Sequence, residues 1–148
     1  MEDFLSIVKN SPEIFNNVFG VQVADAEISD IPFLTDSETI AASIALSGEY
    51  SGDLLCVLKN DEIGRFSAYI LELFGLSGPV PDGVIFAEMI NIYSGHLATR
   101  ADRLGFKLNV GVPKLLPDDI TRVNTPHTVR FLLDRGLTIK FYFNEAHL

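Results

Sequence analysis

Glu88 and Asn91 are the two side chains whose types and spacing best suit shared chemistry. Three residues apart on a helix, they would be surface neighbours, with Cβ atoms about 5–6 Å apart. A glutamate holds a negative charge at neutral pH and can pair with a cation. An asparagine amide offers a donor and an acceptor at once. Neither group breaks a bond alone. Together they can grip and position groups that another molecule brings, so their chemistry would be completed in a partner's cleft.

The element that must carry them is the stretch Asp82 to Gly105, DGVIFAEMINIYSGHLATRADRLG. At about 100° per residue, Phe86, Met89, Ile90, Tyr93 and Leu97 share one broad face, flanked by Ile85 and Ile92. That face must be buried. Around the Glu–Asn pair lie Val84, Ala87, Ser94, Gly95 and Ala98, nearly all small. Such a low strip lets another protein approach closely. Asp82 is expected to cap the start and Gly105 to stop the helix in a left-handed conformation. Arg100 and Arg103 suit its last turn, where the helix dipole favours cations.

The surrounding pattern supplies a scaffold. Residues 1 to 20 read as helix, with Ser11-Pro12-Glu13 either starting a second short helix or kinking a single one. Val21 to Ile28 is an expected strand, and 29 to 37 a loop or covering segment. Ile40 to Leu46 alternates cleanly and turns through GEYSG into Asp53 to Lys59, a hairpin. A helix capped by Asn60 or Asp61 follows, with Ile63, Phe66, Tyr69, Ile70, Leu73 and Phe74 at helical spacing. A short linker through 76 to 81 leads into the Glu–Asn helix. Lys107 to Leu116 is strand-like but broken by Pro113, which suits an edge or a bulge. After a loop over 117 to 126, Thr128 to Leu133 and Leu137 to Phe143 form a last hairpin across residues 134–136. In its second strand Leu137, Ile139, Phe141 and Phe143 face one way. The order is α-β-β-β-α-α-β-β-β, with no repeated strand–helix–strand unit. We therefore expect an α+β fold: a mainly antiparallel sheet of about six strands with helices on one face. The length of 148 residues fits a single domain over 1–148.

Composition removes whole classes of function. A net charge of −9 disfavours nucleic acid, whose binding draws on Lys and Arg, and anionic membrane surfaces likewise. No apolar run approaches the roughly 20 residues of a membrane span. The start MEDFLSIVKN has acids where a signal peptide has basic residues, so a cytoplasmic protein is expected. The lone Cys56 sits in the apolar run LLCVL and reads as core. His96, His127 and His147 lack ligand spacing, so no metal of the chain's own is expected. Phosphate-cradling glycine loops and a GxSxG elbow are absent from the sequence. Asp118-Asp119 reads as a solvated turn or helix cap.

The Glu-x-x-Asn spacing is not rare, and Glu13/Asn16 repeats it near the start. The context of Glu88/Asn91 is more distinctive. Ala87 to Ala98 reads AEMINIYSGHLA, on the second of two adjacent helices, after a G-x-Y-x-G hairpin and before GFKLNVGVP. This resembles the CheC, CheX and FliY family of chemotaxis phosphatases, and within it the single-motif CheX branch. The resemblance covers nearly the whole chain. It implies hydrolysis of the aspartyl phosphate on a response-regulator receiver domain of the CheY type. On that basis Asn91 would orient the attacking water and Glu88 would pair with the receiver's lysine. Ala87, Ser94, Gly95 and Ala98 would border the contact. The Mg²⁺ would come with the receiver, and a homodimer is a further implication. Val84 stands where the family has Asp or Ser, and Pro113 arrives about one residue early. The first of these departures favours the alternative, a non-catalytic signalling adaptor of the same fold that binds a receiver. A structural subunit assembling through sheet edges is a third reading.

Overall fold

The computed structural model describes residues 2–29, 38–73, 75, 80–116, 128–133 and 137–145. The expected loops over 29–37 and 117–126, most of the 76–81 linker, the 134–136 turn, Phe74, Asp118, Asp119, His127 and His147 fall wholly or mainly outside them. The elements run α1 (Glu2–Lys9), α2 (Pro12–Phe19), β1 (Val23–Ser29), β2 (Thr39–Gly48) and β3 (Gly52–Lys59). Then come α3 (Asn60–Leu73), α4 (Asp82–Arg103), β4 (Leu108–Val110), β5 (Lys114–Leu115), β6 (Thr128–Leu133) and β7 (Thr138–Glu145). This is the expected α+β order, with two local refinements. The first helix is two helices, because Pro12 takes the first position of α2. The expected strand across Pro113 is two short ones.

The sheet runs β1-β6-β7-β3-β2-β4, with β5 also pairing with β2, and the pairings are antiparallel. β4 and β5 therefore share one neighbour. The chain between them stays on β2 through Gly111 N–H, which donates to Ala45 O at 2.8 Å. Pro113 has no N–H to extend the ladder, and the edge is where such a gap costs least.

Alternation along the strands sorts the two faces. Ile44, Leu54, Cys56, Val129, Phe131, Ile139, Phe141 and Phe143 face the helices and join Phe4, Phe15, Phe66, Phe86 and Leu97 in the main core. On the opposite face Ala41, Leu55, Val57 and Tyr142 form a second buried cluster, so that side is not simply solvated.

α4 is about 33 Å long at 1.5 Å per residue, and its core side fixes its place. Tyr93 stacks near Phe15 and Phe141, at ring-centre distances of 5.3 and 4.6 Å. One expected cap is corrected: Pro81, not Asp82, precedes α4, and Asp82 is the first helical residue. Asn60 is the first residue of α3. Asp82 still lies in the first turn, where the dipole favours an acid. The other end is as expected. Gly105 has φ +90°, and Phe106 N–H donates to Ala101 O while Gly105 N–H donates to Asp102 O, which closes the last carbonyls. The returning chain then presses on Gly48, at φ +110°, where a Cβ would lie 2.3 Å from Lys107 O.

Candidate functional site

The outer side of α4 carries Glu88 and Asn91, both exposed. Among the described residues neither side chain has a hydrogen bond or ion pair. Gly95 continues the same line one turn beyond Asn91, and a Cβ built there would meet nothing within 4 Å. Ala87 and Ala98 are half-buried beside it, and Val84 stands exposed one turn before Glu88.

Ser94 does not belong to this ridge. It is fully buried, and its hydroxyl has no hydrogen-bond partner among the described residues. The reason is angular: Ser94 lies within roughly 40° of Ile90 and 20° of Ala101 on the helix circumference, and both of those are buried. Its small size serves the interior.

The second Glu-x-x-Asn pair is differently placed. Glu13 forms an ion pair with Arg100, which also donates to Asn10 O at 2.9 Å. The Asn16 side-chain oxygen accepts from Gln22 Nε2 at 2.6 Å. Each of the two side chains thus has one partner that ties α2 to its surroundings. Of the two pairs, Glu88/Asn91 is the one without a hydrogen bond or ion pair among the described residues.

Directly beneath the ridge, Tyr93 Oη lies 2.7 Å from Ser11 Oγ, and Ser11 Oγ donates to Val8 O at 2.5 Å. The serine's single proton is used on Val8, so the tyrosine O–H donates to the serine. Burial pushes the Tyr93 phenol well above its ordinary value, while the Ser11 bond works the other way. It stays a neutral donor. Sequence patterning gave no sign of this bond, nor of a cleft of about 340 Å³ between α2 and α4, with Asn17, His96, Thr99, Arg100 and Arg103 among its lining. The recurrence of polar and basic side chains at 96, 99, 100 and 103 was the available signal.

Among the described residues no three His, Cys, Asp or Glu side chains gather to hold a metal ion. Cys56 is fully buried, and burial raises its thiol pKa. Among the described residues no helix is long and apolar enough to cross a membrane.

No protein-family model matches the sequence, and no curated protein matches it. Solved structures do. The chemotaxis protein CheX from Desulfovibrio desulfuricans is 14% identical, with 97% of this chain and 99% of that chain covered and a TM-score of 0.66. The CheX–CheY–BeF₃–Mg²⁺ complex from Borrelia burgdorferi matches at 14% identity, 99% and 97% coverage and a TM-score of 0.64. The FliM middle domain from H. pylori also matches, at 6% identity, 97% and 90% coverage and a TM-score of 0.57. A shared fold does not by itself choose among functions. What these likenesses establish is that the chain has the fold of the CheX and related chemotaxis proteins.

Proposed function

We propose that this chain is a phosphatase for the aspartyl phosphate of a CheY-like response-regulator receiver, presenting Glu88 and Asn91 from α4 to the receiver's active site. The observation that carries the reading is the unspent, outward-facing pair on a helix locked to the core. The likeness to a CheX chain solved together with CheY, BeF₃ and Mg²⁺ supports a receiver as partner.

In this reading the reaction is an in-line displacement. A water oxygen forms a bond to phosphorus as the bond to the aspartyl oxygen breaks, releasing phosphate and a free carboxylate. Phosphoryl transfer of this kind needs positioning and charge stabilisation more than covalent help. The Asn91 carboxamide oxygen accepts a hydrogen bond from the attacking water and aligns it. Glu88 pairs with the receiver's lysine and seats the helix. The receiver brings the phosphoryl group and a Mg²⁺ that neutralises charge on its oxygens. Gly95 keeps the ridge low enough for close approach.

The test is phosphate loss from an acetyl-phosphate-charged receiver, with and without the chain. Acceleration at substoichiometric chain supports the reading, and an unchanged lifetime across the organism's receivers rejects it. A second reading, a non-catalytic adaptor, is favoured by Val84, which is 55% exposed on the ridge and brings contact area without chemistry. That reading predicts binding to the phosphorylated receiver with its phosphate lifetime unchanged.

A further inference from the structure

The cleft between α2 and α4 holds chemistry that the ridge does not use. Its floor includes the apolar Ile14 and Val18, and its rim the polar Asn17, His96, Thr99 and Arg103. Arg100 is held in place by Glu13 and by Asn10 O. Thr99 Oγ1 donates to Gly95 O at 3.2 Å, tying the rim to the ridge. Arg103 and Asn17 are exposed and have no hydrogen bond or ion pair among the described residues, so their N–H donors are available. Two guanidinium groups thus stand against one carboxylate, in a chain with only 11 Lys and Arg and a net charge of −9.

From this arrangement we infer that the α2–α4 cleft is a docking subsite for an acidic segment, Asp or Glu side chains, of the same protein partner that the Glu88/Asn91 ridge engages. The inference rests on that ridge receiving a partner, not on its catalysing a reaction. Three observations carry it. The first is charge: in a chain of net charge −9, the cleft sets two guanidinium groups against one carboxylate, and Arg103 has donors free for an acidic group. Arg103 can hold a carboxylate with two parallel N–H bonds, a geometry a lysine cannot offer. The second is continuity. Gly95 and Thr99 fill the line from Asn91 to the cleft, and Asn91 and Arg103 are about 18 Å apart along the axis. A partner burying roughly 800 Å² of its surface reaches both. The third is preorganisation. Arg100 is already immobilised by Asn10 and Glu13, so the near wall of the cleft costs little to order on binding.

An NMR titration of the ¹⁵N-labelled full chain tests this, with a blocked peptide of alternating Glu and Asp as the probe. Its Gln and Asn counterpart and inorganic phosphate are the controls. The acidic peptide is expected to move the backbone signals of Asn17, His96, Thr99 and Arg103 in a saturable way. The amide peptide should leave them still. Arg103→Gln, at an exposed position that leaves the fold intact, is expected to weaken binding roughly tenfold, the loss of one charge-assisted contact. Absent shifts, or shifts spread equally over Lys59, Lys107 and Lys114, would overturn the inference. So would equal binding by the Arg103→Gln chain. Phosphate acting on the same signals at the same concentration would make the cleft a small-anion site instead and likewise overturn it. The titration contains no receiver and no turnover, so its failure and a failure of the phosphatase reading are separately visible.

Discussion

The hydroxyl of Tyr93 meets that of Ser11 at 2.7 Å, joining residues 82 apart in sequence inside the core. Tyr93 follows Asn91 by two positions and points the opposite way, so the bond clamps the inner side of α4 while the outer side carries the pair. The chain of donors runs from the Tyr93 O–H to Ser11 and on to Val8 O. This ties the α1–α2 elbow to the middle of the candidate active helix.

That clamp has a measurable signature. Tyr93→Phe loses one buried hydrogen bond and should cost about 1 kcal/mol in urea denaturation, whereas Ser11→Ala strands the tyrosine hydroxyl and should cost about 1–3 kcal/mol. The double variant should cost less than the sum, because the two residues share one interaction. Strict additivity would show that the bond does not contribute.

Gly95 should behave oppositely in stability and in function. A helical glycine is about 1 kcal/mol worse than alanine, and a Cβ here meets nothing. Gly95→Ala should therefore raise stability by about 0.5–1 kcal/mol. Gly64 on α3 is equally open, so space alone assigns no role; position on the ridge does. Gly95→Arg should fold normally and lose acceleration of receiver dephosphorylation. Undiminished acceleration would show that no partner comes close there.

The paired motif on α2 should take no part in catalysis. Glu13 is well exposed, and an ion pair of that kind contributes less than about 1 kcal/mol. Glu13→Gln should lower stability by no more than that and should not reduce dephosphorylation rates at saturating chain. A large loss of rate would make the first Glu-x-x-Asn pair a second site.

Gly48 tests the scaffold. Its positive φ and the 2.3 Å approach of a built Cβ to Lys107 O leave no room for a side chain. Gly48→Ala should cost at least about 2 kcal/mol and lower the melting temperature by more than about 4 °C in a chain of this size. An unchanged melting curve would contradict the described return of the chain after α4.

Much of this architecture was written in periodicity. The α4 pattern placed Phe86, Met89, Tyr93 and Leu97 inward and Glu88 and Asn91 outward, as found, because a 3.6-residue period leaves few choices for a half-buried helix. The β7 alternation was equally legible, and Pro113 marked the break between β4 and β5. Small size suggests a surface strip for Ser94, but its angle beside Ile90 and Ala101 puts it inside. The Ser11–Tyr93 bond arises only when distant segments pack, and no local pattern encodes it; the α2–α4 cleft leaves only the polar and basic recurrence at 96, 99, 100 and 103 as a local trace. Nor does spacing separate Glu13/Asn16 from Glu88/Asn91. Only the partners supplied by Arg100 and Gln22 show that the first pair is spent.

The most direct test is the Asn91→Ala chain against a phosphorylated receiver, with binding and phosphate lifetime measured on the same samples. Asn91 is exposed and makes no bond among the described residues, so the fold should be unaffected. The account predicts retained binding and a loss of acceleration on the order of 100-fold, the scale set by misplacing an attacking group. Wild-type acceleration by the Asn91→Ala chain would contradict it.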